Sequence, residues 1–307
     1  MSNRFVGVVT RATGSWYDVL SEGQTYQCRI RGRMRLKGVR STSPVVVGDW
    51  VTCECEESDY LICDVQPRCN YIIRRASNLS KESHIIAANI DRAIIVATLF
   101  SPETPTEFID RFLVTCEAYK IPATIVLAKY DLAREHPEAV EEFVATYNAA
   151  GYEVVALSTI EGVGLERVRE LLAGRTTLIS GNSGVGKSTL IGTLEPSIEI
   201  RTGEISQSHH KGKHTTTFST MYALSDGGYI IDTPGIKGFG LLDIDDDELW
   251  HYYPEMLRVG EECQFYNCTH THEPKCAVRR AVERGEIAYS RYESYLKILD
   301  EDDKYRK

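Results

Sequence analysis

The sequence predicts a multidomain protein: an N-terminal β-barrel of OB type, a central α/β domain, and a C-terminal α-rich tail that holds a metal. Three observations carry that division. Short β-prone runs fill residues 1–69. Strand-like and helix-like stretches alternate from 85 to 241, after a polar stretch at 70–84 that reads as a linker. A Cys/His cluster then sits in acidic, helix-prone sequence from 242 to 307. At 307 residues the chain has ample material for more than one buried core.

Composition narrows the functional classes. The net charge of −9 excludes wholesale coating of nucleic acid, so any RNA contact must come from a local basic patch. No apolar run approaches the roughly 20 residues that span a bilayer. The opening Met-Ser-Asn-Arg-Phe-Val-Gly has no signal-peptide core. Nine cysteines, an odd number spread unevenly, favour reduced thiols over a disulfide framework. The expected setting is the cytoplasm, with no membrane partner.

In the first domain, runs such as Gly7–Thr10, Tyr17–Leu20, Val45–Val47 and Leu61–Cys63 are separated by Gly, Pro, Asn and Asp. About five short strands in this length suit a small barrel. Arg29, Arg31, Arg33, Arg35, Lys37 and Arg40 alternate with mostly apolar residues, which places the charges on one face of a strand. A solvated strand face is the plainer account. Six cations in twelve residues on a barrel of this type favour RNA contact.

The central domain reads as repeated β-α units, hence a mainly parallel sheet. Its strands are Ala93–Ala97, Ala123–Leu127, Val154–Leu157, Thr177–Ile179 and Tyr229–Ile231, with a helical pattern over 107–120. Between a strand and a helix-compatible run lies Gly181-Asn182-Ser183-Gly184-Val185-Gly186-Lys187-Ser188-Thr189, a full G-x-x-x-x-G-K-S phosphate loop. Its glycines let backbone N–H groups from Ser180 onward face phosphates. Lys187 would reach the β- and γ-phosphates, and the Ser188 hydroxyl would ligate magnesium. The following helix offers its positive N-terminus to the anion. Asp232-Thr-Pro-Gly235 ends a later strand, with Asp232 placed to hold magnesium and Gly235 to sense the γ-phosphate. The polar stretch 201–217 is a candidate switch, in which Thr215, Thr216 or Thr217 would complete the magnesium shell; Thr216 is the central choice.

A base-reading motif comes before the phosphate loop, although the usual order is the reverse. Ala128-Lys129-Tyr130-Asp131 matches Asn-Lys-x-Asp except at its first residue. Asp131 would accept hydrogen bonds from guanine and Lys129 would pack over the base. Ala128 cannot supply the amide of the usual Asn, a loss of about 1 kcal/mol for each hydrogen bond. Ser158 sits where a supporting base-contact loop is expected. GTP is favoured over ATP.

Cys263, Cys268, His270 and Cys276 place three thiols and an imidazole within 14 residues. That set suits one structural Zn²⁺ with no open position for catalysis. His272 is a spare beside it. The tail reads as poor in apolar sequence, so the metal would supply much of its folding energy.

The order of base motif, phosphate loop, Gly212-Lys-His-Thr-Thr-Thr217 and Asp232–Gly235 resembles the circularly permuted GTPases. With a barrel before and a Cys3His module after, the whole chain is similar to the RsgA (YjeQ) family of small ribosomal subunit biogenesis GTPases. The resemblance implies an OB-type barrel that binds RNA, a circularly permuted P-loop GTPase domain and a zinc domain. It implies a factor that docks on the small ribosomal subunit and its rRNA late in assembly, with weak GTP hydrolysis stimulated by the subunit; a monomer is expected. The chain departs from the family at Ala128. Ile236 follows Asp-Thr-Pro-Gly and cannot orient water, so His214 or a ribosomal group must do so. An RNA-binding adaptor without turnover and a kinase are the competing classes. Intact Lys187, Ser188 and Asp232 argue against the first, and the Asp-Thr-Pro-Gly and threonine-switch pairing against the second.

Overall fold

The computed structural model describes residues 3–32, 44–56, 59–75, 83–198, 219–233, 244 and 247–305. Strands β1 (Asn3–Thr13), β2 (Trp16–Ser21), β3 (Gln24–Ile30), β4 (Trp50–Glu56) and β5 (Asp59–Val65) come first, then β6 (Tyr71–Arg75) and β7 (Ser83–Ala88). The α/β region follows as β8 (Arg92–Ala97), α1 (Thr106–Ala118), β9 (Ala123–Leu127), α2 (Tyr130–Ala133), α3 (Pro137–Ala150), β10 (Glu153–Ala156), α4 (Leu165–Leu172), β11 (Thr176–Gly181), α5 (Lys187–Leu194), β12 (Thr220–Ala223) and β13 (Tyr229–Asp232). A 3₁₀ turn at Leu249–Tyr252 leads to α6 (Pro254–Gly260), α7 (Ala277–Glu283) and α8 (Tyr289–Tyr305). None of the described helices is long and apolar enough to cross a membrane.

The contacts divide the chain into two compact units: residues 1–93, 168–180 and 187–240, and residues 94–167, 181–186 and 241–307. In the first, β1-β2-β3-β5-β4 lie side by side and β4 pairs back onto β1, closing a five-stranded barrel. Alternation along these strands sends Val9, Tyr17, Val19, Cys28, Val51, Cys53 and Ile62 inward. The close turn before β4 needs glycine: Gly48 has φ +88, and a Cβ there would lie 2.1 Å from the Ala88 carbonyl oxygen. β11 and β13 pair in parallel, and β12 is antiparallel to β13. Both ends of the stretch 70–84 enter strands, because β6 and β7 form an antiparallel pair in which Ile72, Ile73 and Ile85 are buried.

In the second unit β9 lies between β10 and β8, with β10 and β9 parallel. α3 begins with Pro137 and ends at Gly151 in the left-handed region, a start and stop that the backbone geometry favours. The tail is richer in core residues than its composition suggests. Leu249, Tyr253, Met256, Val278, Ala281, Ile287, Tyr292, Tyr295 and Ile298 bury one another and take in Val114 of α1. Tyrosines supply much of that core, which an aliphatic count overlooks.

A buried ion network stitches this tail to α1. Arg291 on α8 is 1% exposed and reaches Asp110 at 2.6 Å and Glu255 at 2.7 Å. Tyr147 donates to the same Asp110 oxygen at 3.1 Å. Removing one partner of such a pair strands a buried charge. Arg291→Met is therefore expected to destabilise the protein by about 3–5 kcal/mol in denaturant unfolding, and a loss under about 1 kcal/mol would contradict this account.

Candidate nucleotide and metal sites

The phosphate loop runs from the end of β11 to the first residue of α5. Gly181 approaches β8 so closely that a Cβ there would lie 2.6 Å from the Val96 carbonyl oxygen. Gly184 at φ +84 and Gly186 at φ +99 take backbone conformations that side chains resist. Val185 between them is fully buried and anchors the curl. Lys187 is 9% exposed; its Nζ lies 2.8 Å from Asp232 Oδ1 as an ion pair and donates to the Thr233 carbonyl oxygen at 2.9 Å. Thr233 Oγ1 in turn donates to the Ile179 carbonyl oxygen at 3.2 Å, fixing the end of β13 beside β11. A cation and a carboxylate thus converge where the loop opens into a helix, which suits a phosphate with a divalent cation.

The base motif follows β9 directly, with Ala128 and Lys129 in the turn and Tyr130 and Asp131 opening α2. Ala128 is 5% exposed, and its N–H donates to the Ala97 carbonyl oxygen at 2.8 Å. Lys129 has φ +54, a left-handed residue that turns the chain into α2, and its Nζ donates to the Ser101 carbonyl oxygen. Tyr130 N–H donates to the Leu157 carbonyl oxygen at 2.9 Å. Ser158 Oγ donates to Asp131 Oδ1 at 2.8 Å and accepts from Glu161 N–H at 3.2 Å. Arg134 grips Glu161 with two bonds of 2.9 and 2.8 Å. Ser158 thus fixes the orientation of the Asp131 carboxylate. The expected result for Ala128→Asn is GTP binding about fivefold tighter by calorimetry, from roughly 1 kcal/mol of regained hydrogen bonding. Unchanged affinity would mean that these contacts already replace the Asn.

In the tail, the ligating atoms of Cys263, Cys268, His270 and Cys276 all lie within 4.8 Å of one another. Tetrahedral bonds of ~2.3 Å to sulfur and ~2.0–2.1 Å to nitrogen require separations of about 3.8 Å between sulfurs and about 3.6 Å from sulfur to nitrogen. Cys263 and Cys276 sulfurs are 3.9 Å apart, and His270 Nδ1 is 3.6 and 3.4 Å from them. The cluster is compatible with zinc. Backbone N–H groups of Ala277 and Arg279 point at the sulfurs of Cys263 and Cys276. Glu273 accepts from the N–H groups of Thr269, Thr271 and His272, which shapes the ligand loop. His272 is exposed and bonded to Thr271 Oγ1, outside the cluster. Burial pushes the Cys268 thiol up to about 12 and His270 down to about 4. Thiols so raised ligate when a cation supplies the compensating charge.

The chain is similar to known proteins over nearly its whole length. The RsgA GTPase family model matches residues 65–242 and the RsgA N-terminal domain model matches residues 6–60. A relative from Bacteroides fragilis, named small ribosomal subunit biogenesis GTPase RsgA, is 50% identical over 305 residues, 98% of each chain. The chain belongs to the RsgA GTPase family. A Porphyromonas gingivalis relative with the same name is 51% identical over 308 residues, again 98% of each chain. Two solved structures share the RsgA fold. YjeQ from Thermotoga maritima matches with a TM-score of 0.77 at 34% identity, over 97% of this chain and 98% of that one. YloQ, described as a circularly permuted GTPase, matches at 0.73 and 28% identity, over 99% and 96%.

Set beside the RsgA pattern, several expected site residues, namely His214, Thr216, Gly235, Arg33, Arg35, Lys37 and Arg40, lie outside the described residues. Ser188 and Thr189 are the second and third residues of α5, after Lys187. Arg29 and Arg31 are both exposed, but Arg31 is paired with Glu54 and Glu56 at 2.6 Å each and so adds less to a cationic stripe than its charge suggests. Sequence reasoning missed the loop after β8. There Ser101 receives Lys129, and Pro102 would lie 3.4 Å from a Cβ at Gly184. That loop touches both the base motif and the phosphate loop, and no motif announces it.

Proposed function

We propose that this protein hydrolyses GTP to GDP and phosphate as an assembly factor in late maturation of the small ribosomal subunit, binding its rRNA and being stimulated by it. Near-full-length identity to relatives named for that role carries the reading. In it, backbone groups from Ser180 to Thr189 cradle the phosphates and Lys187 neutralises charge that builds on the β- and γ-oxygens. Ser188, Thr216 and Asp232 hold Mg²⁺, which supplies Lewis-acid stabilisation of the same charge. Gly235 senses the γ-phosphate. His214, or a group from the ribosome, orients the water that attacks phosphorus as the bond to the β-phosphate breaks. Ala128, Lys129, Tyr130 and Asp131 receive guanine, with Ser158 positioning Asp131.

Cys263, Cys268, His270 and Cys276 hold one structural Zn²⁺, which leaves no open coordination position. Arg29, Arg31, Arg33, Arg35, Lys37 and Arg40 meet RNA. Residues 1–69, 85–241 and 242–307 divide these tasks, joined through 70–84, in a cytoplasmic monomer. The test is hydrolysis of GTP and of ATP, each with and without purified small subunits. GTP turnover raised strongly by the subunit is expected, with ATP unaffected. Equal turnover of both nucleotides, or none with the subunit present, would overturn the reading.

A further inference from the structure

The buried arginine of the tail has more partners than fastening the tail requires. Arg291 on α8 donates to both Glu255 oxygens on α6, at 2.7 and 3.3 Å, and to Asp110 on α1 at 2.6 Å. Those two carboxylates suffice to hold α8 against α1 and α6. The guanidinium also lies among three buried tyrosine rings, 4.6 Å from Tyr253, 5.7 Å from Tyr152 and 5.8 Å from Tyr147. Two of these belong to the α/β region: Tyr147 is on α3, and Tyr152 stands just before β10. Their hydroxyls return to α1, where Tyr147 donates to Asp110 and Tyr152 to Glu117, each at 3.1 Å. α1, α3 and the entry to β10 thus meet around one cation supplied by the tail.

Each of those segments runs directly into the nucleotide site. α1 follows the loop after β8, whose Ser101 receives Lys129; the Thr104 N–H donates to the Thr98 carbonyl oxygen at 2.8 Å and closes that loop. α3 follows α2, which opens with Tyr130 and Asp131. β10 leads to Ser158, which fixes Asp131. Loops that bind take their positions from the rigid elements they join. On α8 itself, Tyr292 and Tyr295 donate to the carbonyl oxygens of His270 and Thr269, so the helix that carries Arg291 is seated on the zinc-ligand loop.

We infer that Arg291 is a positioning residue for the guanine site: from the tail it holds α1, α3 and β10 in the arrangement that brings Lys129, Asp131 and Ser158 together. The inference rests on the proposed binding of guanine by these residues and adds a distant residue on which base recognition depends. Its effect falls on where the base is held. Lys187 and Asp232, which face the phosphates, lie in the other compact unit.

The test uses the full-length chain with GTP, GDP and inosine triphosphate, which lacks the 2-amino group that Asp131 would accept from. Calorimetry reads affinity and stoichiometry together. Arg291→Lys keeps the charge and loses the forked bonds. It should weaken GTP and GDP by a common factor of about five, because the base is shared by both. KM for GTP should rise by a similar factor with kcat kept, the pattern of lost uniform binding. The preference for GTP over inosine triphosphate should narrow. Tyr147→Phe removes only a hydroxyl and should act in the same direction by about twofold; it decides the matter if Arg291→Lys does not fold. Thermal melting checks each variant. A purely structural role would lower stoichiometry and apparent kcat together and leave affinity and preference unchanged. That result, or wild-type behaviour in the folded variants, would overturn the inference. A wild-type chain that binds GTP and inosine triphosphate equally would remove the base-motif reading and the inference with it.

Discussion

Lys187→Ala is expected to reduce GTP hydrolysis at least about a thousandfold, with or without the small subunit. A cation fixed on the transferring phosphoryl group acts on charge that builds in the transition state, where removing one such contact costs about 10²–10⁵ in rate. The same substitution should also lower stability. Asp232 is 8% exposed and loses its ion-pair partner, the Lys187 ammonium, at 2.8 Å. An uncompensated carboxylate at that depth costs about 3 kcal/mol. The two effects separate in the double variant Lys187→Ala/Asp232→Asn, which removes the stranded charge. It should recover much of the melting temperature and none of the turnover. Steady-state phosphate release near the wild-type rate in Lys187→Ala would remove the phosphate-loop assignment. Equal stability of the single and double variants would mean that the Lys187–Asp232 pair does little for the fold.

What the sequence made legible was what depends on neighbours along the chain. The curl of the phosphate loop, the strand before it and the helix after it occupy one continuous segment, so spacing alone located them. The Cys263/Cys268/His270/Cys276 set was readable for the same reason. The barrel was expected from its short strands, but the register that closes it was not legible, because β1 pairs with β4 between residues 42 to 52 positions apart (Val8 with Trp50, Asn3 with Cys55). The β6–β7 pair was hidden by Arg74 and Arg75, whose charge suggested a linker although Ile72 and Ile73 are buried. β12 has only four residues, too few for a period to show. The bond between Arg291 and Asp110 joins positions 181 residues apart, and no local pattern foretells such a pairing. At the base motif the sequence exposed the loss at Ala128 and named Ser158 as support. Only the geometry shows Ser158 bonded to Asp131 and Lys129 to Ser101.

Cys268→Ser is expected to release the metal and unfold the tail from about residue 245. Structural zinc contributes on the order of 10–16 kcal/mol in small modules, as much as the whole stability of a typical domain. Here the ligands are also part of the tail's packing. Cys268 and Cys276 belong to the same buried cluster as Tyr253, Tyr292 and Tyr295. Tyr292 OH donates to the His270 carbonyl oxygen at 2.7 Å and Tyr295 OH to that of Thr269 at 2.6 Å, so α8 is tied to the ligand loop. Losing the metal frees that loop, then α8, then Arg291. Damage should therefore reach α1 through Asp110 and Val114, which a tail folded only around its metal would not transmit. Hydrogen exchange should show lost protection in α1 as well as after residue 245. GTP binding is expected to persist in weakened form, because Lys187, Ser188 and Asp232 lie in the other compact unit while Ala128–Asp131, Ser158 and Gly181–Gly186 share the unit of the tail. Small-subunit binding should fall further. Elemental analysis finding no zinc in protein purified without chelator would end the metal assignment. Protection of α1 unchanged in Cys268→Ser would show that tail and helix are energetically separate, despite the buried pair between them.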